Sequence, residues 1–192
     1  DKMPGDVWQK RANYRWFRAY MTVHPGKKLL FMGCEFGQWQ EWREQHSLDW
    51  HLLEQPEHRA LLDLNRDLNH LYRENPALHA GDTDPAGFAW IDLHNGDQSV
   101  FAFLRRSPLH PDKPPLLCVF NCTPVPREAY WLGVPAAGTY RKVLDTDAAR
   151  FGGSGFNQQE RVVSQLAPCQ GYPCHIRLDL PPLGALFFEL AD

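Results

Sequence analysis

An apolar run at residues 29–33 constrains the first part of the chain more than any other feature. It reads Leu-Leu-Phe-Met-Gly, with no polar residue at alternate positions. Such a run is typical of a strand covered on both faces in a parallel sheet. Because a single strand cannot form a sheet, we expect its neighbouring strands to lie upstream, in a longer protein. The first residues, Asp1-Lys2-Met3, also favour a piece of a longer chain, since no initiator methionine opens it.

Helical patterns flank this run on both sides. The first starts after Asp6, which can cap a helix, carries apolar residues at steps of three and four from Trp8 to Val23, and ends before Pro25. The second ends before Pro76, and its apolar face consists of Leu61, Leu64, Leu68, Leu71 and Tyr72. Helix, strand and helix in this order are the unit of parallel α/β sheets and barrels.

The second part of the chain has a different pattern. Six strand-like runs lie at residues 88–93, 100–105, 116–120, 140–144, 175–180 and 185–190, separated by turns rich in Gly, Pro, Asn and Asp. Apolar Ile176 and Leu178 alternate with polar Arg177 and Asp179, which indicates a sheet with one face in water. Short strands at this spacing predict an antiparallel β-sandwich. The predicted fold class is therefore α/β over residues 1–80, followed by an all-β domain over residues 85–192.

Composition excludes several classes of function. The net charge of −3 argues against a protein that binds nucleic acid or an acidic membrane by bulk attraction. No stretch approaches the roughly 18 consecutive apolar residues of a membrane span. We therefore expect no nucleic acid and no membrane among the partners.

The cysteines and histidines predict neither disulfides nor a metal site. Five cysteines are an odd number and no secretory leader is visible, so we expect reduced thiols in the cytoplasm. A zinc site built from four of these cysteines is conceivable, but the spacing of Cys118 and Cys122 is unlike the usual two-residue gap. The nine histidines are scattered. We expect no metal and no cofactor.

The loop after the apolar run is the strongest candidate site. Residues 33–50 carry three tryptophans, Trp39, Trp42 and Trp50, among carboxylates and amides. Tryptophan faces stack on sugar rings, and carboxylates and amides bind sugar hydroxyls, so this composition is typical of a saccharide cleft. The alternative is a long surface loop whose tryptophans pack against the body of the protein. Glu35 and Asp49 could form a pair of glycosidase carboxylates, but the sequence gives no separation between them.

Several motifs together resemble the bacterial glycogen branching enzymes, a family of the α-amylase superfamily. They are MPGD at residues 3–6, WQK at 8–10, PGKKLLFMG at 25–33, EF at 35–36, EW at 41–42, SLDW at 47–50, RDLN at 66–69, FNCTPVPR at 120–127 and LPPL at 180–183. One departure is Cys34, where these enzymes usually carry Asn.

The resemblance implies a fold and a reaction. Residues 1–80 would be the last helix–strand–helix portion of a (β/α)₈ barrel, with residues 29–32 as its eighth strand, and residues 85–192 would be the C-terminal β-sandwich. The family cleaves an α-1,4-glucan and transfers the segment to a 6-hydroxyl, forming the α-1,6 branches of glycogen with retention of configuration. Its nucleophilic Asp, its acid/base Glu and its stabilising Asp would all lie upstream of residue 1. This chain alone would then be inactive.

The resemblance also implies the partners and the residues near the substrate. The partners would be the α-1,4-glucan, as glycogen or amylose, and the missing N-terminal part of the same chain. The substrate-loop candidates are Glu35, Phe36, Gln38, Trp42, Asp49 and Trp50. Two alternatives remain: a non-catalytic glucan-binding module that uses the aromatics Trp90, Tyr130 and Trp131, and a related hydrolase of the same superfamily.

Overall fold

Two α-helices and eight β-strands form the regular structure of residues 2–191, the part of the chain that the computed structural model describes. The helices are α1 (Val7–Val23) and α2 (Pro56–Glu74). The strands are β1 (Phe88–Asp92), β2 (Val100–Arg105), β3 (Leu116–Asn121), β4 (Arg127–Val134), β5 (Thr139–Asp145), β6 (Arg161–Val163), β7 (Cys174–Leu180) and β8 (Gly184–Ala191). No helix among these residues is long and apolar enough to cross a membrane.

Helix α1 begins and ends where the sequence predicts, and α2 ends where it predicts. At the start of α1, the Asp6 side chain accepts a hydrogen bond from the Gln9 backbone N–H at 2.8 Å, and the Gln9 side chain accepts one from the Asp6 N–H at 3.0 Å. This reciprocal capping box satisfies two amides that the helix cannot pair. Helix α2 begins at Pro56, whose missing N–H costs nothing in the first turn.

The strands form two antiparallel sheets. The larger has the order β1-β2-β3-β8-β5-β6, and the smaller pairs β4 with β7. All six predicted strands are confirmed, whereas β4 and β6 were not predicted. Strand β4 is interrupted near Ala129, which has a φ of 51°, and β6 has only three residues, so neither shows a regular alternation.

The six-stranded sheet is covered on both faces. One face packs against the β4–β7 sheet through side chains such as Leu117 and Val119, and the other packs against the two helices through Cys118 and Phe120. All six residues of β3 are therefore buried. The exposed Arg177 confirms the predicted wet face on β7. The helices and the sandwich thus share a core.

The apolar run does not form the buried strand that its sequence predicts. Residues 29–31 pair with no strand among residues 2–191, Met32 and Gly33 belong to a turn, and Leu29 and Phe31 are 68% and 52% exposed. A strand needs a neighbour to satisfy its amides and carbonyls, and the strands of both sheets pair with one another instead. A barrel is likewise absent from the described residues: both sheets are antiparallel throughout.

Buried polar contacts connect α1 to the sandwich. Arg15 is fully buried; its guanidinium donates to the Gly152 carbonyl at 3.2 Å and lies 3.5 Å from the Asp147 carboxylate. Asp147 accepts hydrogen bonds from the Ser154 backbone N–H at 2.9 Å and from the Ser154 hydroxyl. The neighbouring Asp145 is also buried, and its carboxylate accepts from the Asp147 N–H at 2.8 Å. This cluster fixes the 145–154 segment against the first helix.

Replacement of Asp145 by Asn should stabilise the chain at neutral pH. Burial raises the pKa of Asp145 from 3.8 to about 6, although the Asp147 N–H and Lys142 oppose the shift. The protonated group therefore stabilises the fold below pH 3.8, and this contribution is lost as the pH rises through about 6. Asn keeps the acceptor for the Asp147 N–H without the charge. We expect the free energy of unfolding of Asp145→Asn, relative to that of the wild type, to rise by roughly 1–3 kcal/mol between about pH 4 and pH 7. Urea unfolding measures this difference.

The control is Asp97→Asn, in an exposed turn. Because this side chain is exposed, the free energy of unfolding of the variant should lie within about 0.5 kcal/mol of that of the wild type at pH 7. A difference between Asp145→Asn and the wild type that stays constant from about pH 4 to pH 7 would contradict the assignment of this titration to Asp145.

Candidate functional site

The loop of residues 38–49 begins from a tightly fixed turn. Gly33 and Gly37 flank the short 3₁₀ turn Cys34–Phe36 and have left-handed φ values of 82° and 66°. A Cβ atom on Gly37 would lie 2.7 Å from the Leu61 side chain of α2. Phe36 is completely buried. The base of the loop is therefore packed against α2 with little freedom to shift.

The Gln38 side chain holds the two ends of the loop together. Its Oε1 accepts a hydrogen bond from the Asp49 backbone N–H at 3.3 Å, and its Nε2 donates to the Gln40 carbonyl at 2.9 Å. Residues 41–47 between these ends are all exposed. The loop is thus closed at its base and open to solvent at its tip.

A cavity of about 330 Å³ lies inside this loop. Its walls are Gln38, Gln40, Glu41, Trp42, Arg43, His46, Ser47, Leu48 and Asp49. Amide, carboxylate and guanidinium groups can exchange hydrogen bonds with hydroxyls, and one indole ring supplies an apolar surface. This set of groups matches the chemistry of a sugar and offers no nucleophile paired with a base.

Three of the six substrate-loop candidates line the cavity, namely Gln38, Trp42 and Asp49. Trp42 is 41% exposed and packs nearly perpendicular to the Phe31 ring, with centroids 5.6 Å apart. Part of its ring surface is thus free for contact with a ligand, while the contact with Phe31 limits its motion.

The other three candidates lie outside the cavity wall. Phe36 contributes to the core and packs against the Trp50 ring at 5.3 Å, and Trp50 itself is 52% exposed. Glu35 uses its backbone carbonyl to accept a hydrogen bond from Asn65 at 2.8 Å. Since Glu35 does not share the cavity with Asp49, the two carboxylates are not brought together there as a glycosidase pair.

The six substrate-loop candidates did not include the ionic groups around this loop. Lys2 donates to the Glu41 carboxylate, and this contact lowers the pKa of Glu41. Arg43 and His46 add two further polar groups to the cavity wall. Only their position in the loop could have indicated them, because long loops in compact domains are often functional.

The aromatic residues of the sandwich do not form a similar site. Tyr130 is 9% exposed and belongs to the core between the sheets, and burial raises its pKa. Trp131 is half exposed, but its ring stacks on His175 at 4.4 Å and lies 4.8 Å from the Arg177 guanidinium carbon. Trp90 is 40% exposed and stands on the edge strand β1.

The thiols and other possible metal ligands are dispersed. All five cysteines are free, and Cys118 and Cys174 are buried. Burial raises the pKa of the Cys118 thiol, and it raises that of Cys122 to about 11, with the Trp16 side chain opposing the shift. Within residues 2–191, no three His, Cys, Asp or Glu side chains are grouped so that they could hold a metal ion.

Comparison with known sequences finds one matching protein family and several similar enzymes. Residues 90–191 match the family described as the alpha amylase C-terminal all-beta domain. The chain is 50% identical over 189 residues to the 1,4-alpha-glucan branching enzyme of Thiobacillus denitrificans and 51% identical over 191 residues to that of Pseudomonas aeruginosa. These alignments cover 98% and 100% of this chain but only 25% and 26% of the two relatives. The chain thus spans about a quarter of their length.

Solved structures share the fold at lower identity. Ttha1563 from Thermus thermophilus superposes with a TM-score of 0.58 over 97% of this chain and 32% of its own, at 22% identity. The alpha-amylase from H. orenii gives a TM-score of 0.57 over 94% of this chain and 36% of its own, at 18% identity. At these identities the likeness concerns the fold alone.

Replacement of Gln38 by Leu should loosen the loop without unfolding the protein. Loss of the bond to the Asp49 N–H removes about 0.5–1.5 kcal/mol of local stability. We expect the Asp49 amide to exchange its hydrogen roughly threefold to tenfold faster, measured by NMR, while the melting temperature changes little. Gln40→Leu is the matched control, because only the backbone carbonyl of Gln40 takes part in the Gln38 bridge. Equal exchange rates in both variants would contradict the bridging role.

Proposed function

The chain belongs to the family of the alpha amylase C-terminal all-beta domain, and on this premise we propose that it is part of a 1,4-alpha-glucan branching enzyme. The observation that carries the proposal is the identity of about 50% over practically the whole chain, which extends beyond the family match at residues 90–191 into the helices and the loop. A chain that shared only a generic sandwich with amylases would not align over residues 1–80 as well.

The proposed reaction cleaves an α-1,4-glucan and transfers the released segment to a 6-hydroxyl, which creates an α-1,6 branch. A retaining mechanism of this kind needs a carboxylate nucleophile and a carboxylic acid that later acts as a base. The cavity of this chain offers Glu41 and Asp49, and the first is already paired with Lys2. We therefore assign the catalytic carboxylates to the remaining part of the longer protein and expect this chain to be inactive alone.

The loop of residues 38–49 is proposed to contact the glucan. Trp42 would stack on a sugar ring, while Gln38 and Asp49 would bind hydroxyls; all three line the cavity. Glu35, Phe36 and Trp50 would support the loop from below, since Phe36 is buried and the Glu35 carbonyl is held by α2.

Residues 1–80 are proposed to complete a (β/α)₈ barrel together with the rest of the longer protein. Residues 29–31 pair with no strand among the described residues, and the Leu29 and Phe31 side chains are exposed. Both observations support this, because neighbouring parallel strands would pair this backbone and cover these side chains. Residues 85–192 would be the C-terminal sandwich. The free thiols fit a protein of the reducing cytoplasm.

A chimera tests the proposed activity. The matching region of the Pseudomonas aeruginosa branching enzyme, 26% of its length, would be replaced by this chain. We expect the chimera to introduce α-1,6 linkages into amylose without net release of reducing ends, measured by debranching followed by chain-length analysis. The 192-residue chain alone should do neither. A folded chimera that releases reducing ends without forming branches would instead favour a hydrolase.

In the same chimera, Trp42→Ala should weaken glucan binding more than stability. Loss of a partly exposed stacking surface removes binding energy from ground state and transition state alike, so we expect KM for amylose to rise roughly threefold to tenfold with kcat within about twofold. The melting temperature should change by less than about 2 °C. Trp90→Ala is the matched control, with a similarly exposed indole on β1, and should leave KM unchanged. A large loss of stability with normal kinetics would show that Trp42 is a packing residue.

A further inference from the structure

Two polar side chains lie on the buried face of α2. His58 and Asn65 are 1% and 2% exposed, and they stand seven residues apart, which is about two turns of the helix. Leu61, Leu64 and Leu68 share this face and are buried as well. Burial of a polar group is unfavourable unless it forms hydrogen bonds, so the contacts of these two residues need an explanation.

His58 binds the turn at the base of the loop. Its Nδ1 lies 2.8 Å from the Phe36 carbonyl oxygen. Because a carbonyl only accepts, Nδ1 carries the proton in this contact. The His58 ring also meets the Trp39 ring edge to face, at a centroid distance of 5.6 Å. The Nε2 atom has no hydrogen-bond partner among the described residues, so the Phe36 bond is the one specific polar contact that orients this ring.

Asn65 binds the adjacent carbonyl and connects it to α1. Its Nδ2 donates to the Glu35 carbonyl at 2.8 Å and to the Tyr14 hydroxyl at 3.2 Å. Its Oδ1 accepts from the Arg18 Nε at 2.8 Å. Burial raises the pKa of Tyr14 to about 12, although the contact with Asn65 opposes the shift. One amide group thus joins both helices to the loop base.

Consecutive carbonyls of the turn are therefore held by two side chains of one helix. We propose that His58 and Asn65 are positioning residues, which hold the 34–37 turn in place so that Gln38 and the loop of residues 38–49 face the glucan. The functional part rests on the proposed branching activity. Neither side chain lines the cavity, so both act through the backbone of Glu35 and Phe36.

A purely structural role would have different consequences. Helix α2 packs against the six-stranded sheet through Leu64 and Leu68, whereas His58 and Asn65 form their hydrogen bonds with the 34–37 turn and with α1. If the two polar residues only stabilised the core, their loss would weaken the whole fold uniformly. If they position the loop, their loss should increase the mobility of the turn while the sheet remains protected.

Hydrogen exchange of the 192-residue chain tests the positioning. The amides of Cys34, Gly37 and Gln38 form hydrogen bonds within the turn and report on its opening. In His58→Leu and in Asn65→Leu we expect these amides to exchange about tenfold faster, with the amides of β3 unchanged. His58→Asn places an amide near the position of Nδ1 and should restore slow exchange. Unchanged turn exchange in both Leu variants, or acceleration equally large in β3, would overturn the proposal.

Kinetics of the chimera test whether the position of the turn affects the use of amylose. We expect His58→Leu and Asn65→Leu to raise KM for amylose about fivefold with kcat within about twofold, and His58→Asn to return KM towards the wild-type value. Normal KM despite accelerated exchange would overturn the link between the turn and the substrate. If the unmutated chimera made no branches, the proposed function would fail, and the exchange experiment alone would still decide whether the two residues hold the turn.

Discussion

The packing of the two helices on the six-stranded sheet is the contact on which the rest of the structure depends. Trp16 and Tyr20 of α1 meet the edges of Phe101 and Phe120 at centroid distances of 5.8–6.1 Å. Aromatic pairs in this geometry add stability beyond their buried area. Because the opposite face of the sheet packs on the β4–β7 pair, one sheet supports both the sandwich core and the helices. The sandwich therefore fixes where α1 and α2 stand.

A series of contacts connects this layer to the loop. Helix α2 is fixed by its leucines, the turn Cys34–Phe36 is fixed to α2 by His58 and Asn65, and the two ends of the loop are joined by Gln38. The exposed tip has few partners of its own. Under the proposed function this arrangement is useful, because a rigid base keeps Trp42 in position while the exposed tip can adapt to glucan chains of different shape.

The periodic elements could be predicted from the sequence, and the elements set by distant partners could not. Helix periodicity and caps indicated α1 and α2, and apolar runs between turns indicated six strands. Strand β4 was missed because the irregular backbone at Ala129 breaks its alternation. The run at residues 29–32 forms no strand within the described residues, because its composition favours burial while the strands that would cover it are not among these residues. The docking of the helices on the sandwich was missed because the partner of a helix face is not specified locally.

The candidate site shows the same limit at the level of single residues. Aromatic and amide composition pointed to the loop, but the same residue types line the cavity and support it, so only the structure distinguishes the role of Trp42 from that of Trp50.

The sequence around His58 and Asn65 also carries information about the site. At positions 58, 61, 65 and 68 they alternate with leucines on one helix face, and a polar residue buried on an apolar face needs a hydrogen-bond partner. Their partners are the carbonyls of Glu35 and Phe36, in the very segment whose composition suggested a sugar. A buried polar pair opposite a candidate loop is thus itself evidence that the position of the loop matters.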